Sequence, residues 1–522
     1  MMRVRSGVWM AVACAVMTVS LGASVLYMDG DGQAPTKVAA APMMPAAQRI
    51  DLAISAMGGE ARLRSIKSLT LEFVGHQWAL EQSERPEGPW LSSYQQGTEI
   101  RDLTKGRQWL ESQRRDWNSP KWSAAVALVV ADGVAARTNG QRWGPAQASD
   151  VQAWDEALAL APERLLLTAK AAKDIRSLAD ATMQRVPQHV LAFTWNGLRL
   201  KLFLNNWTNL PTALEVTKND RWDIWGDVVE RRSYSFWTLE AGGLMYPRQT
   251  TTEWNNFPSA DQTVHGLTLD ASIDDAKFAI PDDTRAAFAK SAAVAQGMAS
   301  VKLDESKAHE LAKGIVQYPS GYNVNVIEQP DGLVILEATT GSNFSAQMIA
   351  AVEKRYPGKK IKAVVTTSDA WPHIGGIREY AAKGIPIYAV DLNVSILDRL
   401  IKSPRTFSPD ALAKSPKPPV FRPVSSRTTI GSGATRIELI PERGEYGERM
   451  MLVWFPEAKI LYSSDLLQRD RTGKSFFMMA MPAEVVDATA REKLDGVTTV
   501  FGMHLAPTPW SEVVAAVAAA RR

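Results

Sequence analysis

The stretch TTSDAWPHIGGIREYAAKGIPIYA, Thr366 to Ala389, decides how the second half of this chain is read. It opens on the end of a short, β-branched apolar run, AVVTTS, which reads as a buried strand. GGIREYAAK follows with helical spacing, and IPIYAV returns to a strand pattern. Between the first strand and the helix lies a loop carrying Ser368, Asp369 and His373, the residue types that bind ions or move protons.

The same alternation extends in both directions. Upstream, YNVNVIEQPDGLVILEA gives two strands joined by a turn at Asp331-Gly332, and SAQMIAAVEKRY gives a helix. Downstream come a helix (SILDRLIK), three strand patterns (TRIELIP, RMMLVWFP, KILYSSDL), a helix (AEVVDATAREKL), a strand (TTVFGMH) and a final helix (WSEVVAAVAAARR). Strands alternating with helices after an opening antiparallel pair predict a layered α/β domain over 314–522. GSGATR at 431–436 lacks the lysine of a phosphate-binding loop and the dinucleotide pattern, so it reads as a hairpin turn. Ser463-Ser464-Asp465 lacks the Gly-X-Ser-X-Gly of a nucleophile elbow.

The first half has another period. SLTLEFVGHQ, HVLAFTW, LRLKLFL, ALEVTK, DVVERRSYSFW and LMYPRQTTTEW alternate or carry β-branched and aromatic residues between glycine-containing turns. Helical patterns cover Ala47–Ile66 and about 150–180. The expectation is a mostly-β, Trp-rich antiparallel domain over 47–283 and a connecting helical segment over 284–313. Thirteen of the 17 tryptophans fall between Trp78 and Trp254. They are read first as core filling for a large sheet, and second as an aromatic face for an acyl chain, glycan or peptide.

Composition narrows the function. With 59 basic and 56 acidic residues, the net charge of +3 gives no electrostatic case for nucleic acid. Arg3 and Arg5 precede the uncharged run from Val8 to Met28, which reads as a secretory signal or a membrane anchor. The chain is therefore expected to be exported, periplasmic or held at the inner membrane through 8–28, with 29–46 as a Gly/Pro/Ala tether. The one cysteine, Cys14, lies inside that run, which excludes disulfides and thiolate ligands from the folded part.

From Thr366 to Ala389 the chain resembles the metallo-β-lactamase segment Thr-His-X-His-X-Asp-His-X-Gly-Gly. FPEAKILYSSDLL, Phe455 to Leu467, is similar to the strand that ends in that family's bridging aspartate. TTVFGMH, Thr498 to His504, is similar to the strand delivering its last histidine. The opening strand pair ends in Glu337, where an aspartate is common in the family. The resemblance covers about 200 residues and implies an αβ/βα sandwich. The N-terminal domain more loosely resembles lipoprotein-carrier half-barrels.

Carried over residue by residue, the resemblance leaves three of the family's metal ligands: His373, Asp465 and His504. Ser368, Ala370 and Pro372 stand at three other ligand positions, and the middle histidine falls near Tyr446. Alanine and proline cannot coordinate, and serine and tyrosine replace imidazole poorly, so a binuclear zinc centre is not expected. Two histidines and one carboxylate suit a single zinc ion with an open position for water. They equally suit a hydrogen-bonded remnant that braces the loops. Ser368 and Asp369 are candidates to orient substrate or complete the site, and Tyr446 to stabilise an oxyanion. Trp371 and Trp510 are candidates to flank it.

Two functions follow as expectations. One is an exported hydrolase acting on an ester, amide or lactone bond of a small-molecule or lipid-like substrate. The other is a non-catalytic envelope protein whose β domain binds lipid and whose sandwich is a scaffold.

Overall fold

Residues 44–79, 90–116, 120–220, 224–294, 301–470 and 472–522 are described in a computed structural model of the chain. The run expected as signal or anchor, Cys14 and nearly all of the tether lie outside them. Among the described residues, no helix is long and apolar enough to cross a membrane.

Leu69, Leu71 and Phe73 are buried along strand Ser68–Ala79, while Glu72 between them and Val74 just beyond face solvent. That two-residue alternation places one face of the sheet against a core. Strand Ser68–Ala79 pairs with Leu91–Asp102 on one side and Phe257–Leu269 on the other, and every pairing in this first sheet is antiparallel. Its described strands number fourteen. Helices Ala46–Ala56, Glu60–Ser65 and Pro162–Ala171 cover the apolar face, setting Ile50, Leu63 and Leu165 against Leu69, Leu191 and Leu202.

The tryptophans contribute to this core in part: Trp195 and Trp237 pack against it, and Trp109 and Trp143 pack on a smaller cluster of the same sheet. Of those described between Trp78 and Trp254, Trp154 is buried, Trp122 and Trp207 are exposed, and the rest are half-buried. Trp207 is 70% exposed, so the core-filling expectation fails there plainly. The segment expected as a connector over 284–313 divides. Helix Asp282–Val294 sets Phe288 against Val130, Ala135 and Trp154 of the first sheet region. Strand His309–Ala312 instead pairs with Ile315–Tyr318.

The C-terminal part contains two sheets. One runs His309–Ala312, Ile315–Tyr318, Val324–Gln329, Gly332–Leu336, Ile361–Thr366, Ile387–Val390, Phe421–Val424, antiparallel at first and parallel from Gly332–Leu336 onward. The other runs Thr428–Ile430, Ile437–Pro441, Met451–Phe455, Ile460–Tyr462, Thr499–Phe501, Thr508–Pro509. GSGATR does form the turn between the first two of these strands, which pair antiparallel.

Val334, Leu336 and Val365 of the first of these sheets meet Leu439, Val453 and Phe455 of the second. On the far side of the first, Leu333 and Ile335 meet Met348, Tyr380 and Leu397 from helices Ser342–Arg355, Ile377–Lys383 and Val394–Lys402. On the far side of the second, Leu452 and Leu461 meet Val485 and Val513 from helices Ala480–Arg491 and Trp510–Ala520. The order is helices, sheet, sheet, helices. Strands buried on both faces explain why GLVIL and MLVWF are apolar throughout rather than alternating. Each buried Val, Leu or Ile contributes roughly 1.5–3 kcal/mol.

Residues 44–522 form one compact unit. A clasp joins the first sheet to the C-terminal layers. Asp227 accepts hydrogen bonds from the Thr406 backbone N–H at 2.8 Å and from the Thr406 hydroxyl, and Arg405 donates to the Ile224 carbonyl.

Candidate functional site

Three strand ends deliver the site. Glu337 follows Gly332–Leu336, Thr367 follows Ile361–Thr366, and Ser463 to Asp465 follow Ile460–Tyr462. Ligand sites in layered α/β folds gather outside such carboxyl ends. Glu337 (φ +81°), Thr340 (φ +71°) and Ser464 (φ +54°) adopt left-handed backbone that non-glycine residues seldom take. Such strain persists only where surrounding contacts over-determine it, and it concentrates at functional loops.

His373 lies in a single helical turn, Trp371–Ile374, followed by Gly375 and Gly376. These glycines allow the turn to sit directly on its neighbours: a Cβ on Gly376 would collide with Ser345 Oγ, and one on Gly375 with the Thr340 carbonyl. The imidazole that results is wholly buried between two carboxylates. Its Nδ1 is 3.0 Å from Glu337 Oε2 and its Nε2 is 2.8 Å from Asp465 Oδ2. Thr367 Oγ1 and Tyr462 OH both donate to Glu337 Oε1, the latter at 2.9 Å.

Burial alone pulls the His373 pKa down, but Glu337 and Asp465 outweigh it and raise the value to about 10. His373 is therefore an imidazolium donating through both nitrogens. Burial likewise works to raise the Asp465 carboxyl, yet His373 and then His504 hold it below its ordinary value. Burial, then Glu337 and Asp465, push the Tyr462 phenol well above its usual range, so it stays a donor.

Asp465 carries a second feature. Its Oδ1 is buried and lacks a hydrogen-bond partner, with His504 Nε2 3.5 Å away. His504 retains 30% side-chain exposure, so this end of the group reaches solvent. The Tyr322 ring packs edge-on against both His504 (5.2 Å between centroids) and Trp371 (5.3 Å).

The residues singled out from sequence fare unequally. His373, Asp465 and His504, far apart along the chain, meet at one point. Ser368 is fully buried and accepts the Ala370 backbone N–H at 3.2 Å, which fixes the loop rather than facing a substrate. Asp369 is also buried beside it. Tyr446 packs on the outer cluster around Leu461, Leu466 and Val485, with its backbone N–H donating to Glu484. Among the described residues, no hydrogen bond joins the Tyr446 hydroxyl to the His373–Asp465 group. Trp510 joins the same outer cluster and does not flank the site. Trp371 does. Glu337, noted from sequence only as the residue ending the opening strand pair, had been given no part in the site. The signal was present: a carboxylate ending the fully apolar run GLVIL must find a buried partner.

A single zinc ion was expected at His373, Asp465 and His504. Imidazole, carboxylate and imidazole are suitable donors, but their spacing is not that of a metal cage. Ligands on one tetrahedral zinc, with bonds of roughly 2.0–2.2 Å, stand roughly 3.3 Å or more apart. His373 Nε2 and Asp465 Oδ2, at 2.8 Å, instead share a proton. Among the described residues, no set of three His, Cys, Asp or Glu side chains is placed to hold a metal ion. In this arrangement the residues do not fit zinc.

No family model matches the chain. No curated protein matches it. Among solved structures, the chain is similar to a metallo-β-lactamase from Pontibacter korlensis (15% identity, TM-score 0.33, 41% of this chain and 99% of that one). It is similar to a metallo-β-lactamase from Erythrobacter litoralis (14% identity, TM-score 0.32, 41% and 95%). A sec-alkylsulfatase from Pseudomonas sp. matches at 16% identity and TM-score 0.31, over 40% of each chain. Likeness of this size carries no argument about activity. The four-layer arrangement rests on the strand order and packing described above.

Proposed function

We propose that the chain is a hydrolase acting on an ester, amide or lactone bond, with Asp465 and His504 as its acid–base pair. The observation that carries this reading is the buried, unpartnered Asp465 Oδ1 facing the half-exposed His504. A buried carboxylate oxygen left without a partner costs roughly 1–3 kcal/mol or more, which a stability role alone does not repay.

In this mechanism His504 Nε2, 3.5 Å from Asp465 Oδ1, closes on it to donate a hydrogen bond, which leaves Nδ1 for a water molecule. As the water oxygen attacks the substrate carbonyl, Nδ1 takes its proton, and the Asp465 carboxylate stabilises the imidazolium that forms. The same proton then passes to the departing alkoxide or amine, and His504 is neutral again. The His373 imidazolium, fixed by Glu337, keeps Asp465 ionised and oriented. It is a positioning residue, not a group that touches substrate.

The test is a screen of p-nitrophenyl esters, anilides and lactones with wild-type chain and the His504→Gln variant. Loss of positioned general-base catalysis costs about 10²–10⁴-fold in kcat. A drop of that size with an unchanged thermal midpoint supports the reading. Equal turnover by both proteins rejects it.

A further inference from the structure

Where the first sheet meets the C-terminal layers lies a cavity of about 740 Å³, within the range of small-molecule sites. Trp78, Trp254 and Phe257 of the first sheet, with Ile224, Trp225 and Trp371, form its apolar wall. The Arg399 guanidinium lies 4.7 Å above the Trp225 ring and 4.6 Å above Phe257, so its flat face continues the wall. Four indoles and a phenyl ring around one open space leave apolar area in water, which an apolar occupant would remove from it.

The charges on the wall narrow the ligand. Among the described residues, two acidic and two basic side chains line the cavity, so together they add no net charge. Each is already engaged. Asp220 accepts the backbone N–H of Ile224 at 2.9 Å and of Trp225 at 3.1 Å. Asp227 is held by Thr406 and by Arg199. Lys402 is ion-paired with Asp398 at 2.6 Å. Arg399 lies on its two rings and has a further partner besides.

A ligand carboxylate or ammonium would therefore have to break one of these arrangements or lose its water without compensation. A glycan meets the same obstacle many times over, since the groups that would grip its hydroxyls are occupied. The wall offers contact area and selects against charge.

We propose that this cavity binds an uncharged, hydrophobic small molecule, held by contact with the indoles and Phe257 rather than by an ion pair. The binding needs neither Asp465 nor His504, so it stands independently of the hydrolytic reading.

The experiment compares decanol, decanoate and decyltrimethylammonium, which share one chain length and differ in charge. Each is titrated into the full chain, the ionic probes below their micelle concentrations, and followed by tryptophan emission and calorimetry. A neutral trisaccharide is the fourth probe. The three decyl probes contain no ester or amide bond, so the measurement is blind to turnover. Saturable one-to-one decanol binding with a negative heat-capacity change is expected, about tenfold or more tighter than either ionic probe. Trp254→Ala should weaken decanol about tenfold, and the milder Trp254→Phe to a lesser degree. Three results overturn the proposal: no saturable decanol binding by folded wild-type chain, an ionic probe or the trisaccharide binding as tightly as decanol, or decanol affinity unmoved in both Trp254 variants.

Discussion

Glu337 and Asp465 hold His373 from opposite sides, and the charge balance of these three residues sets what each can do. Removing one carboxylate leaves a buried imidazolium half compensated. Glu337→Gln should therefore destabilise the fold by about 3–5 kcal/mol, read as a lowered urea midpoint. A change within about 0.5 kcal/mol would mean His373 is neutral. The pH dependence has a definite sign. The folded pKa of about 10 lies above the ordinary 6.5, so the stabilisation is fully present below pH 6.5 and is lost as pH rises towards 10. Wild-type stability should fall through that window more steeply than that of His373→Gln. Parallel pH profiles for the two proteins would contradict the assignment.

At the scale of elements, the turn Trp371–Ile374 and its two glycines set His373 in place. Gly376→Ala forces a methyl group against Ser345 and should cost about 1–3 kcal/mol, since a packed interior accommodates extra volume poorly. A cost near zero, by thermal or urea unfolding, would show that the turn stands further from helix Ser342–Arg355 than described.

The same elements show what sequence could and could not disclose. Strands such as Gly332–Leu336 and Met451–Phe455 were legible because burial on both faces demands continuous apolar runs. His373, Asp465 and His504 were singled out by the resemblance to the metallo-β-lactamase segments that carry them, not by the order of strands and helices. Their hydrogen-bonded spacing was not legible, because it depends on Glu337 occupying the far side of the imidazole. The packing of Tyr446 on the cluster around Leu461 and Leu466 was not legible, because distance along the loop from Pro441 to Met450 does not reveal which layer the ring enters. Tryptophan positions on strands gave their number but not their face, since register with the C-terminal layers lies outside any local pattern.

For the whole molecule, the contact between the first sheet and the C-terminal layers decides whether the aromatic cavity exists. Asp227 is central to it, accepting from the Thr406 hydroxyl and from the backbone N–H groups of Thr406 and Phe407. Asp227→Ala should lower stability by about 1–3 kcal/mol and speed hydrogen exchange at the Thr406 and Phe407 amides. Unchanged exchange at those two amides would show that the clasp does not hold the two regions together.

The central claim is that Asp465 and His504 work as an acid–base pair without a metal ion. It is tested most directly by combining elemental analysis of the purified chain with ester hydrolysis in excess chelator, for wild type and Asp465→Asn. The account predicts less than stoichiometric metal, turnover that survives the chelator, and loss of that turnover in Asp465→Asn. Stoichiometric zinc with chelator-sensitive activity, or equal turnover by the two proteins, would contradict it.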